Sequence, residues 1–228
     1  MATPRGVEVS RVYPNNLVPG GLYILVELGQ DSKFKKLNTL KRDDLVYDLY
    51  LHLGGNHGMQ YWISEDPTNP VPLWSEMDNV RSDPDSIALI QIEQFLWKSD
   101  TRVVDTYIMQ TCNDIIRRSL KTGTEFHHWA LCSKMLFALW LDGEWRARPS
   151  HAEIGHIRTT IQQDLTDGVF RFISKILQDN DRIPRICPVG FFQPDGWPWP
   201  GFARFPDEWV DVLRDRVLHE VAPLPERS

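Results

Sequence analysis

Three residues in the middle of the chain are of types that transfer protons or attack carbonyl groups. Asp48 interrupts an apolar run at residues 45–53, and His128 and Cys132 lie four residues apart in the apolar segment 126–141. A carboxylate beside an imidazole orients the ring for acid–base work, and a basic neighbour lowers the pKa of a thiol. We therefore predict Asp48, His128 and Cys132 as catalytic residues if the two segments meet. The alternative is a solvated aspartate, a boundary histidine and a buried, unreactive thiol.

Aromatic and acidic side chains provide candidates for a substrate pocket. The 228 residues include nine tryptophans, and indole rings either pack the core of a domain or line pockets for planar and cationic ligands. Acidic residues of the predicted strands, such as Glu27, Glu65, Glu76 and Glu93, are suited to binding a guanidinium group. The predicted substrate-binding residues are Tyr50, Trp62, Glu76, Glu93, Trp129, Trp197 and Trp199.

A basic run lies between the first two predicted strands. It is either a phosphate-binding patch, with tRNA as the candidate partner, or a solvated loop. The chain as a whole carries a net charge of −6 and has a pI near 5.6, whereas dedicated DNA-binding domains are usually basic. We therefore expect no DNA partner. The predicted nucleic-acid-binding residues are Lys33, Lys35, Lys36, Lys41 and Arg42.

The absence of several standard motifs narrows the chemistry. The sequence has no P-loop, GxGxxG, HExxH or GxSxG motif, so the common nucleotide, dinucleotide, zinc-peptidase and hydrolase signatures do not apply. The three cysteines form no CxxC pair, and the histidines lack the spacing of metal ligands, so we expect no cofactor, metal or disulfide framework. No apolar leader and no membrane-length apolar run occurs. These features predict a soluble, cytoplasmic protein without a membrane partner.

The first half of the chain has the period of β-strands. Apolar and β-branched segments lie at 22–28, 45–53, 59–64, 73–77 and 87–95, with the clearest alternation at 45–53 and 87–95, and Gly, Pro, Asn and Asp bound them. Alternation between such boundaries is typical of strands. The short links favour an antiparallel meander at about residues 20–96.

The second half changes to the period of helices. Segments 101–120 and 151–177 are amphipathic, segment 126–141 is apolar nearly all round, and Asp167-Gly168 interrupts the third pattern. Residues 183–206 are dense in Pro, Gly and Trp, so we predict an ordered loop there and a last helix at 207–221. The whole chain, residues 1–228, is predicted to be one α+β domain, with an antiparallel sheet packed against helices at about 100–178.

This order of elements resembles an uncharacterised fungal domain family with a permuted papain-like, NlpC-type organisation. Residues 22–26 match its first strand, of type LYxxLxx, and residues 47–54 match its second, of type YHWALxxG. Residues 126–139, followed by Asp142-Gly143, match its nucleophile helix, of type WNCxxWVxxAL. The resemblance implies that Asp48 and His128 face each other in one cleft. They stand where the family has histidine and cysteine, so either Cys132 supplies the thiol one turn later or thiol chemistry is lost.

Three functions remain open as hypotheses. The first is an enzyme of acyl or amide-bond chemistry in fungal specialised metabolism, with His128 as general base and Asp48 orienting it. The second is an arginine-containing cyclodipeptide synthase that takes aminoacyl groups from tRNA held by the basic run. The third is a catalytically inactive papain-like binding or scaffold protein, with the Trp/Pro-rich loop at residues 192–205 as its partner or ligand surface. The sequence favours an enzyme, with a small-molecule or aminoacyl substrate.

Overall fold

The computed structural model of the chain describes residues 6–9, 17–32, 35, 39–64, 66, 69–94, 101–122, 129–144, 151–179 and 187–193. These residues form one seven-stranded sheet and three α-helices, which confirms the predicted α+β class. The strands are β1 (Gly6–Val9), β2 (Gly21–Leu28), β3 (Leu45–Gly54), β4 (His57–Ile63), β5 (Pro72–Asp78), β6 (Ser86–Gln94) and β7 (Val189–Gln193). The helices are α1 (Thr101–Thr122), α2 (Trp129–Glu144) and α3 (His151–Asp179), with short 3₁₀ turns at Gln30–Ser32, Arg42–Asp44 and Val80–Ser82.

The strands lie in the order β1-β7-β6-β2-β3-β4-β5, and each neighbouring pair is antiparallel except β6 and β7. Strands β2 to β5 form the predicted meander. The simple continuation of that meander to β6 is wrong, because β6 returns to pair with β2 instead of β5. Residues 87–90 of β6 are all buried, as a central strand requires, whereas β5 exposes alternate residues and forms an edge.

Strand β7 lies within the segment 183–206 that the sequence predicts as a loop, and the prediction is wrong for residues 189–193. This strand pairs in parallel with β6 and antiparallel with β1. The amide of Leu89 also donates to the carbonyl of Pro188 at 3.0 Å. Pro188 and Pro194 stand outside the short apolar run, so they limit the length of the strand without preventing it. The predicted helix 207–221 lies outside the described residues.

Helix α3 is continuous, so the predicted interruption at Asp167-Gly168 is wrong. Gly168 is buried, and the core residues Leu165 and Val169 stand on either side of it along the helix. One glycine costs a helix about 1 kcal/mol relative to alanine. Burial of the neighbouring apolar side chains offsets that cost, since tertiary packing supplies most of the stability of a helix.

The two faces of the sheet are covered differently. The helices pack on one face, which we call the helix face, with α2 against β3 and α3 against β1 and β6. The opposite face, which we call the second face, carries a smaller core. Side chains alternate along a strand, so Tyr47 and Leu49 contribute to the helix face while Asp48 and Tyr50 lie on the second. The second-face core consists of Tyr23, Leu25, Tyr50, Val80, Leu89 and Cys187.

Candidate functional site

Two carboxyl groups from neighbouring strands meet on the second face. Asp48 on β3 pairs with Leu25, and Glu27 lies two residues further along β2, so the two acids are diagonal neighbours. The side chain of Gln60 on β4 joins them: its Nε2 donates to Asp48 Oδ2 at 2.7 Å and to Glu27 Oε2 at 3.1 Å. Three adjacent strands therefore present one connected group of polar side chains.

The environment of Glu27 favours its neutral form. Burial raises the pKa of this carboxyl to about 8, and the negative charges of Asp48 and Asp83 act in the same direction. Hydrogen bonds from Glu27 to Asp83 and Asp48 contribute further to the rise in pKa. Two carboxyl groups this close hold a proton between them because both cannot ionise without strong repulsion. Glu27 is thus predominantly protonated at neutral pH.

A cleft of about 340 Å³ opens beside this pair. A volume of this size holds a small ligand. Trp62 forms an aromatic part of the lining, and Val46 and Leu28 contribute apolar surface next to the backbone of Gly29. The polar lining residues are Glu27, Gln30, Asp48, Gln60 and Asp85. The pocket therefore combines acidic acceptors with one indole ring.

The side chain of Asp48 points away from helix α2, which does not support the predicted contact between Asp48 and His128. Strand β3 and helix α2 do pack together, as predicted. Asp48 lies on the second face, with its side chain bonded to Gln60, whereas α2 covers the helix face. The error arises because strand residues alternate between faces, and the apolar run 45–53 does not reveal which face the helices cover. His128 itself lies outside the described residues.

Cys132 has the surroundings of a core thiol. Its side chain is fully buried on the helix face, and Sγ lies 3.7 Å from the carbonyl oxygen of Tyr47 and 3.6 Å from that of Asp48. Burial raises the pKa of this thiol well above its ordinary value, and the negative charge of Asp48 adds to the rise. A catalytic cysteine needs the opposite shift, toward the thiolate. These surroundings favour the alternative that the sequence left open, an unreactive thiol.

Two predicted substrate residues lie on the second face, in different roles. Trp62 lines the pocket. Tyr50 is part of the second-face core, with its hydroxyl 3.2 Å from Nδ1 of His52, and it fills the space above Gly58 so closely that a Cβ there would come within 2.3 Å of its ring. Tyr50 therefore packs the second-face core and does not line the pocket.

Two further predicted substrate residues, Glu76 and Trp129, lie on the helix face, away from the pocket. Glu76 lies on the edge strand β5 opposite Met59, a residue of the helix face. Trp129 begins α2 and packs against the core of the helix face. Glu93 has its backbone in β6, paired with Leu22. Trp197 and Trp199 lie outside the described residues.

The basic run is partly neutralised by an acid. Asp44 forms an ion pair with Lys35 and accepts hydrogen bonds from the backbone amide of Lys41 at 2.7 Å and from the hydroxyl of Ser32 at 2.9 Å. The hydrogen bond from Lys35, followed by that from Lys41, lowers the pKa of Asp44 to about 2. Among the other predicted nucleic-acid-binding residues, Arg42 has its backbone in the 3₁₀ turn, while Lys33 and Lys36 lie outside the described residues.

The sequence did not predict the hydrogen-bonded group of Glu27, Asp48 and Gln60 beside the pocket. The sequence offers Glu27 as one of four acids suited to a guanidinium, and it does not mark Gln60 or Asp85 as site residues. A usable signal was present: Glu27 interrupts the apolar strand LYILVEL just as Asp48 interrupts LVYDLYL. Two acids that each break an apolar strand, on strands joined as a hairpin, are expected to meet if they share a face.

No protein-family model, no curated protein and no solved structure matches this chain. Among the helices that the structure describes, none combines the length and apolar character needed to cross a membrane. In the same part of the chain, no three His, Cys, Asp or Glu side chains come together as a group that would hold a metal ion.

Proposed function

We propose that this protein binds a cationic group of a small-molecule substrate in the pocket beside Glu27 and Asp48. The observation that supports the proposal is the bridged carboxyl pair, in which Gln60 Nε2 bonds to both acids within a cleft of about 340 Å³. A guanidinium group donates several N–H bonds in one plane, a geometry suited to carboxylate acceptors. The ring of Trp62 offers a surface on which a planar cation stacks.

A second candidate function, acid–base catalysis on an acyl or amide group, is supported by the raised pKa of Glu27. A carboxyl group that keeps its proton at neutral pH donates it to a leaving group or to a carbonyl oxygen, and such groups cluster in active sites. In this form of the acyl-transfer hypothesis, Glu27 is the general acid and Asp48 is its neighbouring anion. The role of His128 as general base remains part of the proposal.

The tRNA-dependent and the non-catalytic hypotheses use the same pocket differently. In an arginine-containing cyclodipeptide synthase, the pocket would hold the arginyl side chain while the basic run contacts tRNA. In a binding protein without catalysis, it would hold a free cationic metabolite. Because Asp44 pairs with Lys35, the tRNA contact would depend chiefly on the other basic residues of the run. Both forms are proposed for a cytoplasmic protein.

Isothermal titration calorimetry with two probes tests the binding proposal. N-acetyl-L-arginine amide carries a single cationic group, and N-acetyl-L-citrulline amide is its neutral isostere. We expect the arginine probe alone to bind, and we expect Asp48→Asn to weaken its binding about ten- to a hundredfold, since hydrogen bonds to charged groups contribute about 1.5–3 kcal/mol. Glu76→Gln removes an acid from the opposite face and is expected to leave binding unchanged. Equal binding of both probes would contradict the proposal.

Expression in a fungal or bacterial host with untargeted metabolite profiling tests the catalytic candidate. We expect a product that appears with the wild-type protein and disappears with Glu27→Gln. A product that survives Glu27→Gln and disappears with His128→Ala would instead assign the chemistry to the histidine. Circular dichroism of each purified variant would separate loss of chemistry from loss of fold.

A further inference from the structure

We propose that a proton and the cationic ligand compete for the carboxyl pair Glu27–Asp48, so that the pocket binds its ligand best above neutral pH and releases it as the medium becomes acidic. The inference rests on the function proposed above and adds the regulation of that site. It predicts that each ligand bound near neutrality displaces about one proton.

The positions of the two carboxyl groups make a proton and a ligand cation compete for the same place. Gln60 Nε2 holds the two carboxyl groups to a common point, at 2.7 Å from Asp48 Oδ2 and 3.1 Å from Glu27 Oε2, and the cleft opens on the same side. A cation that enters the cleft meets the same two groups that share the proton. Because the acids come from β2 and β3, which are paired along their length, the strands do not separate to relieve the repulsion between them.

The carboxyl groups around Glu27 favour a bound positive charge. Asp48 faces it from β3 and Asp83 from the segment before β6, and both raise its pKa. Asp85 lines the same cleft. Cys187 lies beside β7 and interacts electrostatically with Glu27, and burial keeps that thiol in its neutral form by raising its pKa. A proton on Glu27 therefore reduces the repulsion among these carboxyl groups, and a bound ligand cation would reduce it in the same way.

Arg81 acts on the second-face core. Its positive charge acts on Tyr23, Tyr50 and Cys187 of that core and on His52. The pKa of Glu27 is raised by burial and by the carboxyl groups of Asp48 and Asp83. Both the shared proton and the cleft belong to the acidic end of the face.

Calorimetric titration with N-acetyl-L-arginine amide tests the competition, because the charge of this probe stays constant between pH 6 and pH 9. Titrations in pairs of buffers with different ionisation enthalpies give the number of protons released. We expect the affinity to fall about tenfold per pH unit below pH 8, with about one proton released per ligand at pH 7 and almost none at pH 9. Glu27→Gln is expected to bind with an affinity that does not vary with pH and to release no proton. Glu76→Gln is expected to keep the pH dependence.

The outcomes separate the inference from the function on which it rests. Binding of the probe with a flat pH profile, or without proton release, would overturn the competition and leave the binding function intact. Absence of binding at every pH would overturn the binding function together with the competition. A carbon-13 NMR titration then examines the proton alone: we expect the side-chain carboxyl of Glu27 to titrate near pH 8, and a midpoint below pH 6 would overturn the shared proton independently of any ligand.

Discussion

The protonated side chain of Glu27 has a consequence for stability as well as for binding. Its pKa rises from the ordinary value near 4.5 to about 8 on folding. A carboxyl whose pKa is raised in the folded state contributes fully to stability below the unfolded pKa, and the contribution is lost as the pH rises through the folded pKa. We therefore predict that the free energy of unfolding falls by about 2–4 kcal/mol between pH 5 and pH 8 and becomes level above about pH 9.

Urea unfolding of wild-type protein and Glu27→Gln at pH 5, 7 and 8.5 measures this effect. The glutamine variant keeps a neutral side chain at every pH, so its stability is expected to vary much less over the range. Glu76→Gln removes one negative charge elsewhere and serves as the matched control, with the wild-type pH profile retained. If the wild-type protein were more stable at pH 8 than at pH 5, the prediction would be contradicted.

The three cysteine side chains make a second prediction at the scale of residues. Cys112, Cys132 and Cys187 are all buried, and burial raises the pKa of each thiol. Alkylation requires an accessible thiolate. We predict that native protein at pH 8 reacts with iodoacetamide at least a hundredfold more slowly than protein unfolded in guanidinium chloride. Mass spectrometry of the modified sites gives the measurement, and rapid native modification of Cys132 would revive the thiol hypothesis.

At the scale of elements, one aspartate holds together the long link between β2 and β3. Asp44 accepts bonds from the side chains of Ser32 and Lys35 and from the amide of Lys41. Its pKa is about 2 in the folded protein, so its contribution is present above the unfolded value near 3.9 and is lost as the pH falls toward 2. We predict that Asp44→Asn lowers the free energy of unfolding by about 1–2 kcal/mol at pH 7.

Two comparisons check the role of this aspartate. The exposed neighbour Asp43 offers a matched control, and Asp43→Asn is expected to change stability by less than about 0.5 kcal/mol. Urea midpoints at pH 7 and pH 3 give the second comparison. The difference between wild-type protein and Asp44→Asn should shrink at the lower pH, since the wild-type carboxyl there begins to lose its advantage. An unchanged difference would assign the effect to packing.

The elements themselves were largely predictable from the sequence, and their partners were not. Short apolar, β-branched runs bounded by Gly, Pro, Asn and Asp located β2 to β6. Because β2 and β3 are buried on both faces, their apolar pattern left the face of Asp48 open, and only packing of α2 on β3 decides which set of residues the helices cover. Strand β7 was missed because its five residues lie between prolines, and local sequence does not record that β6 has an unpaired edge to receive it.

For the candidate site too, the residue types were predictable from the sequence and their contacts were not. Acidic residues suited to a guanidinium were recognised, Glu27 among them, but the pair Glu27–Asp48 depends on the register of two strands. The length of the link at residues 29–44 does not fix that register. The sequence does not mark Gln60 as a site residue, because an uncharged amide side chain is common on solvent-exposed strand positions. Its position opposite Tyr50 brings it to both acids.

At the scale of the whole molecule, β7 connects the first strand to the rest of the sheet. Phe192 of this strand is 3% exposed and belongs to the core of the helix face. Removing a buried phenylalanine side chain typically costs about 3–5 kcal/mol. We predict that Phe192→Ala lowers the free energy of unfolding by that amount, measured by urea denaturation. Leu53→Ala, at a position 39% exposed, is expected to cost less than 1 kcal/mol and serves as the control.

The position of β7 near the end of the described chain also determines how long β6 waits for its partner strand during synthesis. The edge of β6 that receives β7 is translated by residue 94, and its partner begins 95 residues later, at Val189. At about 5–20 residues per second, a ribosome leaves that edge without its partner strand for roughly 5–20 s. An apolar strand with an open edge invites pairing with other chains. Synthesis speed over residues 95–188 therefore sets how long a nascent chain is open to aggregation, and binding by a chaperone in that interval would protect it.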